Sequence, residues 1–79
     1  MNEYNHKGQR HGYWECYSPT GQLYFKGNYK DDILEGYCEV YYETNGNICY
    51  KGNFIKDEPK GYMEWFSYKG ELEFKFFYL

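Results

Sequence analysis

The chain repeats itself, and this repetition limits what it can fold into. Residue types recur in seven columns when the segments starting at Gly12, Gly36 and Gly61 are superimposed. The columns are Tyr13, Tyr37 and Tyr62; Glu15, Glu39 and Glu64; Tyr17, Tyr41 and Phe66; Gly21, Gly46 and Gly70; Leu23, Ile48 and Leu72; Phe25, Tyr50 and Phe74; and Lys26, Lys51 and Lys75. The spacing from Gly12 to Gly36 is nearly the same as the spacing from Gly36 to Gly61. A nearly constant spacing of this kind is typical of repeat proteins, in which each unit is one supersecondary element.

Each unit has the composition of a β-hairpin. Aromatic residues make up 25% of the chain and include 12 Tyr, a content that favours strands. In the first unit a run of strand-forming residues ends at Ser18-Pro19-Thr20-Gly21, a sequence that favours a β-turn, and a second run follows. We therefore predict an all-β fold in one domain, residues 1–79. It would be a single antiparallel meander of about three tandem β-hairpin repeats. The predicted parts are a leading strand with its connector (1–11) and repeats at 12–35, 36–60 and 61–79.

The turn position predicts which residues face each other. Folding the first unit about a four-residue turn places Cys16 opposite Leu23 and Trp14 opposite Phe25. Because strand side chains alternate between faces, one face becomes apolar and the other collects tyrosine, glutamate and lysine. On that second face we expect diagonal Glu–Lys pairs exposed to water, in preference to a carboxylate site for acid–base or metal chemistry.

Charge and cysteine content narrow the classes of partner and compartment. The formal net charge is −3, whereas nucleic-acid binders usually carry a clustered basic surface, so no nucleic acid is expected. The N-terminal residues contain no apolar stretch, which predicts no signal peptide and a cytoplasmic chain. The three cysteines lack paired spacing, as is typical of reduced structural thiols.

The residue types that carry chemistry do not form a recognisable active site in the sequence. His6 and His11 flank a connector without the neighbouring ligands that a zinc site needs. Cys49 is predicted to lie on the tyrosine side, with no base spaced to activate it. We therefore predict no enzyme, no catalytic residue, no metal and no cofactor.

Aromatic residues are the most informative feature for function. A single-layer sheet must expose at least one aromatic face to water or to a partner, and tyrosine is enriched at binding hot spots. Two interpretations of this aromatic face stay open: it is a contact surface, or its rings pack only on one another. The hydrophobic C-terminal strand adds an unpaired edge that predicts a protein contact, with a foreign chain or a second copy. The candidate partner-binding residues are Tyr13, Tyr17, Tyr24, Tyr37, Tyr41, Tyr62, Phe66, Phe76, Phe77 and Tyr78.

The segment GYWECYSPTGQLYFKGNYKDDILEG resembles the MORN repeat, in its bacterial variant with Gly-x-Trp, a tyrosine pair and a turn that ends in Gly. The resemblance extends over residues 4–79. It implies tandem hairpins in an elongated, curved sheet that binds proteins or membrane lipids without catalysis. The chain departs from the pattern where Cys38 and Met63 replace the Trp, and where Phe76 and Phe77 replace Gly-Asn.

From this resemblance and the small size we expect a non-catalytic protein–protein interaction module, most narrowly a bacterial or phage-encoded inhibitor that is antitoxin-like. Its target would be a larger protein such as a toxin or defence effector, in the bacterial cytoplasm or in the host cytoplasm if phage-encoded. Two alternatives are a structural homo-oligomer that pairs through the C-terminal edge strand and a MORN-type membrane-lipid surface binder. Of these partners, membrane lipid is the less expected.

Overall fold

The computed structural model describes residues 2–79 and confirms the predicted all-β meander. The strands form one open antiparallel sheet in the order β1-β2-β3-β5-β6-β7-β8, with β4 paired to β3. Their bounds are β1 (Glu3–Tyr4), β2 (Arg10–Tyr17), β3 (Leu23–Lys30), β4 (Ile33–Leu34), β5 (Gly36–Tyr41), β6 (Ile48–Ile55), β7 (Glu58–Phe66) and β8 (Leu72–Tyr78). The hairpins β2–β3, β5–β6 and β7–β8 are the repeated units. No helix long and apolar enough to cross a membrane is present in this part of the chain.

The hairpins are joined by two-residue turns in the polar connectors. Asp31 and Asp32 have φ values of 52° and 69°, and Lys56 and Asp57 have φ values of 53° and 67°. Two successive positive φ angles are characteristic of type I′ turns, whose twist matches that of the flanking strands. Each connector therefore reverses the chain tightly and places the next hairpin beside the previous one.

The register within the hairpins differs from the prediction, which was wrong by two residues. Cys16 pairs with Phe25, where Leu23 was expected. One residue of the shift arises because the turn is a five-residue loop at 18–22 and not the predicted four-residue turn. The other arises from a β-bulge at Tyr24. Because strand faces alternate with period two, a shift of two keeps the faces of the residues that follow the bulge as predicted. Leu23, which precedes the bulge, was expected on the apolar face opposite Cys16 but pairs with Tyr17.

The core is a single row of residues that crosses the sheet perpendicular to the strands. In the row Trp14 pairs with Gly27, Cys38 pairs with Gly52, and Gly52 pairs with Met63. All five residues are buried, and Cys38 and Met63 are only 1% exposed. Since the sheet has no second layer, glycines alternating with larger side chains provide the space in which these residues pack.

The two core glycines are required by close approach. A Cβ atom on Gly27 would lie 2.9 Å from the Cβ of Cys38 and 2.9 Å from the Cζ of Phe25. On Gly52 it would overlap the sulfur of Met63 and lie 2.9 Å from the backbone oxygen of Tyr62. Both positions therefore exclude any side chain, and both recur at the same place in successive hairpins.

The N-terminal residues close one edge of the sheet. The side-chain amide of Asn2 donates a hydrogen bond of 2.7 Å to the backbone oxygen of Glu15. Its oxygen accepts a hydrogen bond of 2.7 Å from the backbone N–H of Glu15. The indole N–H of Trp14 donates to the backbone oxygen of Glu3 at 3.1 Å. The tyrosine ring of Tyr4 packs edge-on against the Trp14 ring, with 5.1 Å between centroids. These contacts complete the row of core residues at its N-terminal end.

We predict that Gly52→Ala lowers the free energy of unfolding by about 1–3 kcal/mol, because the new methyl group overpacks the core row. The Tyr62 oxygen belongs to the backbone, so no rotamer change relieves the contact. Urea denaturation followed by circular dichroism measures the loss. Asn53→Ala is the control, since Asn53 is the next residue and exposed, and its change is expected within about 0.5 kcal/mol. Equal losses in the two variants would contradict the role of Gly52.

Candidate functional site

Seven of the predicted contact residues lie on one face of the sheet, which we call the tyrosine face. The pairings of β2 with β3, β5 with β6 and β7 with β8 place their side chains together with a row of charged residues. The tyrosine face consists of Tyr13, Glu15, Tyr17, Leu23, Lys26, Tyr37, Glu39, Tyr41, Ile48, Lys51, Tyr62, Glu64, Phe66, Leu72, Lys75 and Phe77. The core row lies on the opposite face.

In the first hairpin a glutamate holds the two tyrosines of its strand. The carboxylate of Glu15 accepts hydrogen bonds from the hydroxyl of Tyr13 at 2.9 Å and from that of Tyr17 at 2.6 Å. Residues two apart on a strand share a face, so a Tyr-x-Glu-x-Tyr sequence brings both hydroxyls to one carboxylate. The two rings are thereby oriented while a large part of each, 38% for Tyr13 and 53% for Tyr17, stays exposed.

The second hairpin repeats this arrangement and the third replaces it. Glu39 accepts hydrogen bonds from the hydroxyl of Tyr37 at 2.7 Å and from that of Tyr41. In the third hairpin the residue equivalent to Tyr41 is Phe66, which has no hydroxyl. The ring of Tyr62 instead packs edge-on against Phe77, with 4.8 Å between centroids. Ring orientation is therefore set by hydrogen bonds in two hairpins and by aromatic packing in the last.

Six charged residues of alternating sign cross the middle of the tyrosine face. The ammonium of Lys26 lies 3.2 Å from the carboxylate of Glu39, and that of Lys51 lies 3.8 Å from Glu64. Neighbouring residues of the row are direct cross-strand partners, so the predicted diagonal pairing of glutamate with lysine was wrong. The two-residue register shift is the reason that they lie directly opposite each other. The row is Glu15, Lys26, Glu39, Lys51, Glu64 and Lys75.

The electrostatics of the face are strongest around Glu39. Burial acts to raise the pKa of Glu39, but hydrogen bonds from Tyr41, Tyr37 and Lys26 outweigh it and lower the pKa below the ordinary 4.5. Burial, followed by the hydrogen bond to Glu39, raises the pKa of Tyr37, and the same carboxylate raises the pKa of Lys26. A lowered carboxyl pKa means stability that is present above pH 4.5 and lost as the pH falls through the folded-state value.

Two lysines of the charged row, Lys26 and Lys51, also lie over aromatic rings of the following hairpin. The ammonium of Lys26 lies 5.9 Å from the centroid of the Tyr41 ring, and that of Lys51 lies 5.7 Å from the Phe66 ring. Cations attract the faces of aromatic rings at these distances. Each lysine thus contacts both a carboxylate and a ring of its neighbour, and the face is a connected layer of side chains.

Three of the predicted contact residues do not pair within the tyrosine face. Tyr24 is the extra residue of a β-bulge and has no cross-strand partner in the β2–β3 hairpin. Phe76 pairs with Met63 at the end of the core row, so it lies on the face opposite the tyrosines. Tyr78 packs against Phe76 at 4.8 Å between centroids and shares that face. The predicted contact set is therefore divided between two faces.

The glutamates and lysines were not predicted as parts of the site. Glu15 and Glu39 were expected only to form Glu–Lys pairs exposed to water, although they orient the tyrosines. The Tyr-x-Glu-x-Tyr spacing, present in Tyr13–Tyr17 and 37–41, was the pattern that could have revealed this role.

The other titratable groups contribute little chemistry of their own. Within residues 2–79, no three His, Cys, Asp or Glu side chains lie close enough to hold a metal ion. The imidazole of His11 lies 3.7 Å from the carboxylate of Asp31, and both are exposed. Burial raises the pKa of the Cys38 thiol to about 11, so it stays protonated at neutral pH.

Comparisons with protein-family models, with curated proteins and with solved structures find no match for this chain. The resemblance to MORN repeats is carried by the residues quoted above, and membership in that family stays a prediction. Function is therefore inferred from the geometry of the sheet and of the tyrosine face.

We predict that Glu39→Gln lowers the free energy of unfolding by about 1–2 kcal/mol, because a neutral amide replaces a carboxylate that accepts three hydrogen bonds. Glu64→Gln is the matched control at the same repeat position. Glu64 has one long contact to Lys51 on a partly exposed surface, so about 0.5 kcal/mol or less is expected. Both are measured by urea denaturation at neutral pH. A loss at Glu64 as large as that at Glu39 would contradict the orienting role.

Proposed function

We propose that this chain is a non-catalytic protein-binding module whose contact surface is the tyrosine face. The observation that carries the proposal is that exposed tyrosine rings are held in fixed orientations by their neighbours. The Tyr37 side chain is 45% exposed and bound to Glu39, and the Tyr62 side chain is 63% exposed and packed on Phe77. A ring that is already oriented loses little conformational entropy on binding, which favours affinity.

The charges on the face support a protein partner. Lys26 pairs with Glu39 and Lys51 pairs with Glu64, so a partner that covers these four residues does not leave their charges buried without a counterion. The tyrosine rings beside the row offer apolar area, and their hydroxyls offer hydrogen-bonding groups. Aromatic side chains beside polar groups that are already paired are typical of protein contact surfaces.

The chemistry of the carboxylates supports a role without catalysis. Hydrogen bonds from Tyr17 and then Tyr13 lower the pKa of Glu15, and hydrogen bonds outweigh burial to lower that of Glu39. A general acid–base residue works best with a pKa near the working pH, and these carboxylates are shifted away from neutrality. Their hydrogen bonds serve to position tyrosines.

A quantitative pull-down tests the binding surface. The double variant Tyr37→Ala/Tyr62→Ala is expected to capture its partner from bacterial lysate at least about tenfold more weakly than wild type, equivalent to about 1.4 kcal/mol of binding free energy. Tyr4→Ala is the control, because Tyr4 is also 63% exposed but packs against Trp14 on the other face. Absence of any stoichiometric partner, or equal loss with Tyr4→Ala, would contradict the proposal.

The narrower proposal, an inhibitor of a bacterial toxin or a phage-defence effector, is supported by the MORN resemblance. Co-expression with a panel of such effectors tests it. Relief of growth arrest that depends on Tyr37 and Tyr62 is the expected result. A chain that binds a partner but inhibits no effector would remove the narrower proposal and leave the binding module standing.

A further inference from the structure

Strand β8 has an outer edge that no strand of residues 2–79 pairs with. It is hydrogen-bonded to β7 on one side only. Its side chains are unusually exposed for their type, at 55% for Phe74 and 49% each for Phe76 and Phe77. An edge with free backbone groups and apolar side chains is a template for pairing with another strand.

The opposite end of the sheet is closed to a further strand along part of β2. Tyr4 pairs with Arg10 and Glu3 pairs with His11, while the side chain of Asn2 occupies both backbone groups of Glu15. A head-to-tail contact of β8 with β2 of another copy would therefore find few free backbone groups on β2. Pairing of identical copies through β8 alone is isologous, and it closes at a dimer with a two-fold axis.

We propose that β8 pairs antiparallel with β8 of a second copy, with Phe76 on the two-fold axis. The usable part of the edge runs from Phe74 to Tyr78, because a bulge at Glu73 interrupts the strand before it. The equivalent strands show the same limit. On its outer edge β3 pairs from Phe25 onward, and β6 pairs from Tyr50 onward, which are the residues equivalent to Phe74.

The central residue of the segment from Phe74 to Tyr78 is Phe76, and charge supports this register. An axis at Lys75 would place two ammonium groups directly opposite each other, which is destabilising. An axis at Phe76 places Lys75 opposite Phe77 of the second copy. Both lie on the tyrosine face, where Lys51 already lies over the Phe66 ring. An axis at Phe74 would require pairing through the bulge at Glu73.

The dimer explains the departures from the repeat and extends the contact surface. Phe76 and Phe77 replace the Gly-Asn of the earlier units, and they supply the apolar area that pairing would cover. Paired residues share a face, so the tyrosine faces of both copies lie on the same side of one continuous sheet. A partner with two binding sites would gain avidity from this arrangement. The dimer does not depend on the proposed function of that face.

Cysteine cross-linking tests the register. Paired Cα atoms in an antiparallel sheet lie about 4.5–5.5 Å apart, within the span of a disulfide, so Phe76→Cys is expected to form mostly covalent dimer under mild oxidation. Phe74→Cys and Lys75→Cys are the controls. An axis at Phe76 separates the two Phe74 positions by roughly 13 Å along the strands. Wild type, with its three native cysteines, gives the background.

Light scattering tests the dimer without cross-linking. Wild type is expected to have twice the 9.7 kDa mass of one chain. Phe76→Lys, which places two ammonium groups at the axis, is expected to be monomeric with an unchanged circular dichroism spectrum. Ile33→Lys, at an exposed site on β4, is expected to stay dimeric. A wild type that is monomeric at every concentration tested would overturn the dimer. Stronger cross-linking at Phe74 or Lys75 than at Phe76 would overturn the register.

Discussion

A sheet without a second layer has to bury its core within its own thickness, and here the core row does so. Gly27 and Gly52 leave room beside them, and Cys38 and Met63 fill it and become almost fully inaccessible to water. The Cα atoms extend over 41 × 37 × 12 Å, the dimensions of one layer. Because the core lies on one face, the other face is free to carry tyrosines and charges, and the candidate function depends on this division.

Neighbouring units are joined at both ends of their strands as well as through the sheet. In one connector the carboxylate of Asp32 accepts a hydrogen bond of 2.8 Å from the backbone N–H of Arg10, and Asp57 does the same for Leu34 one unit later. At the turn end the Tyr42 hydroxyl donates to the backbone oxygen of Phe66 at 2.7 Å. Contacts of each unit with the next, repeated along the chain, are the usual source of stability in repeat folds.

The repeat columns were sufficient to predict the strands, the hairpins and most residues of the two faces, because side chains alternate along a strand. The face predicted for Leu23 was wrong, since the bulge places it opposite Tyr17. They could not predict the register, since the five-residue loop and the bulge at Tyr24 are backbone features that several turn sequences allow. Phe76, Phe77 and Tyr78 were predicted as a contact strand, and strand alternation divides them, with Phe77 on the tyrosine face and Phe76 and Tyr78 on the other. Asn2, which acts as a strand partner through its side chain, lies outside the repeat.

The division into two accessible faces requires that residues 2–79 remain one layer thick in solution. Small-angle X-ray scattering measures the thickness of a flat particle directly and separates this claim from its alternative. We expect the thickness of one sheet, also for a dimer joined at β8, which would lengthen the particle without thickening it. Two sheets stacked through their apolar faces would add about 10 Å to the thickness. That result would contradict the single-layer core.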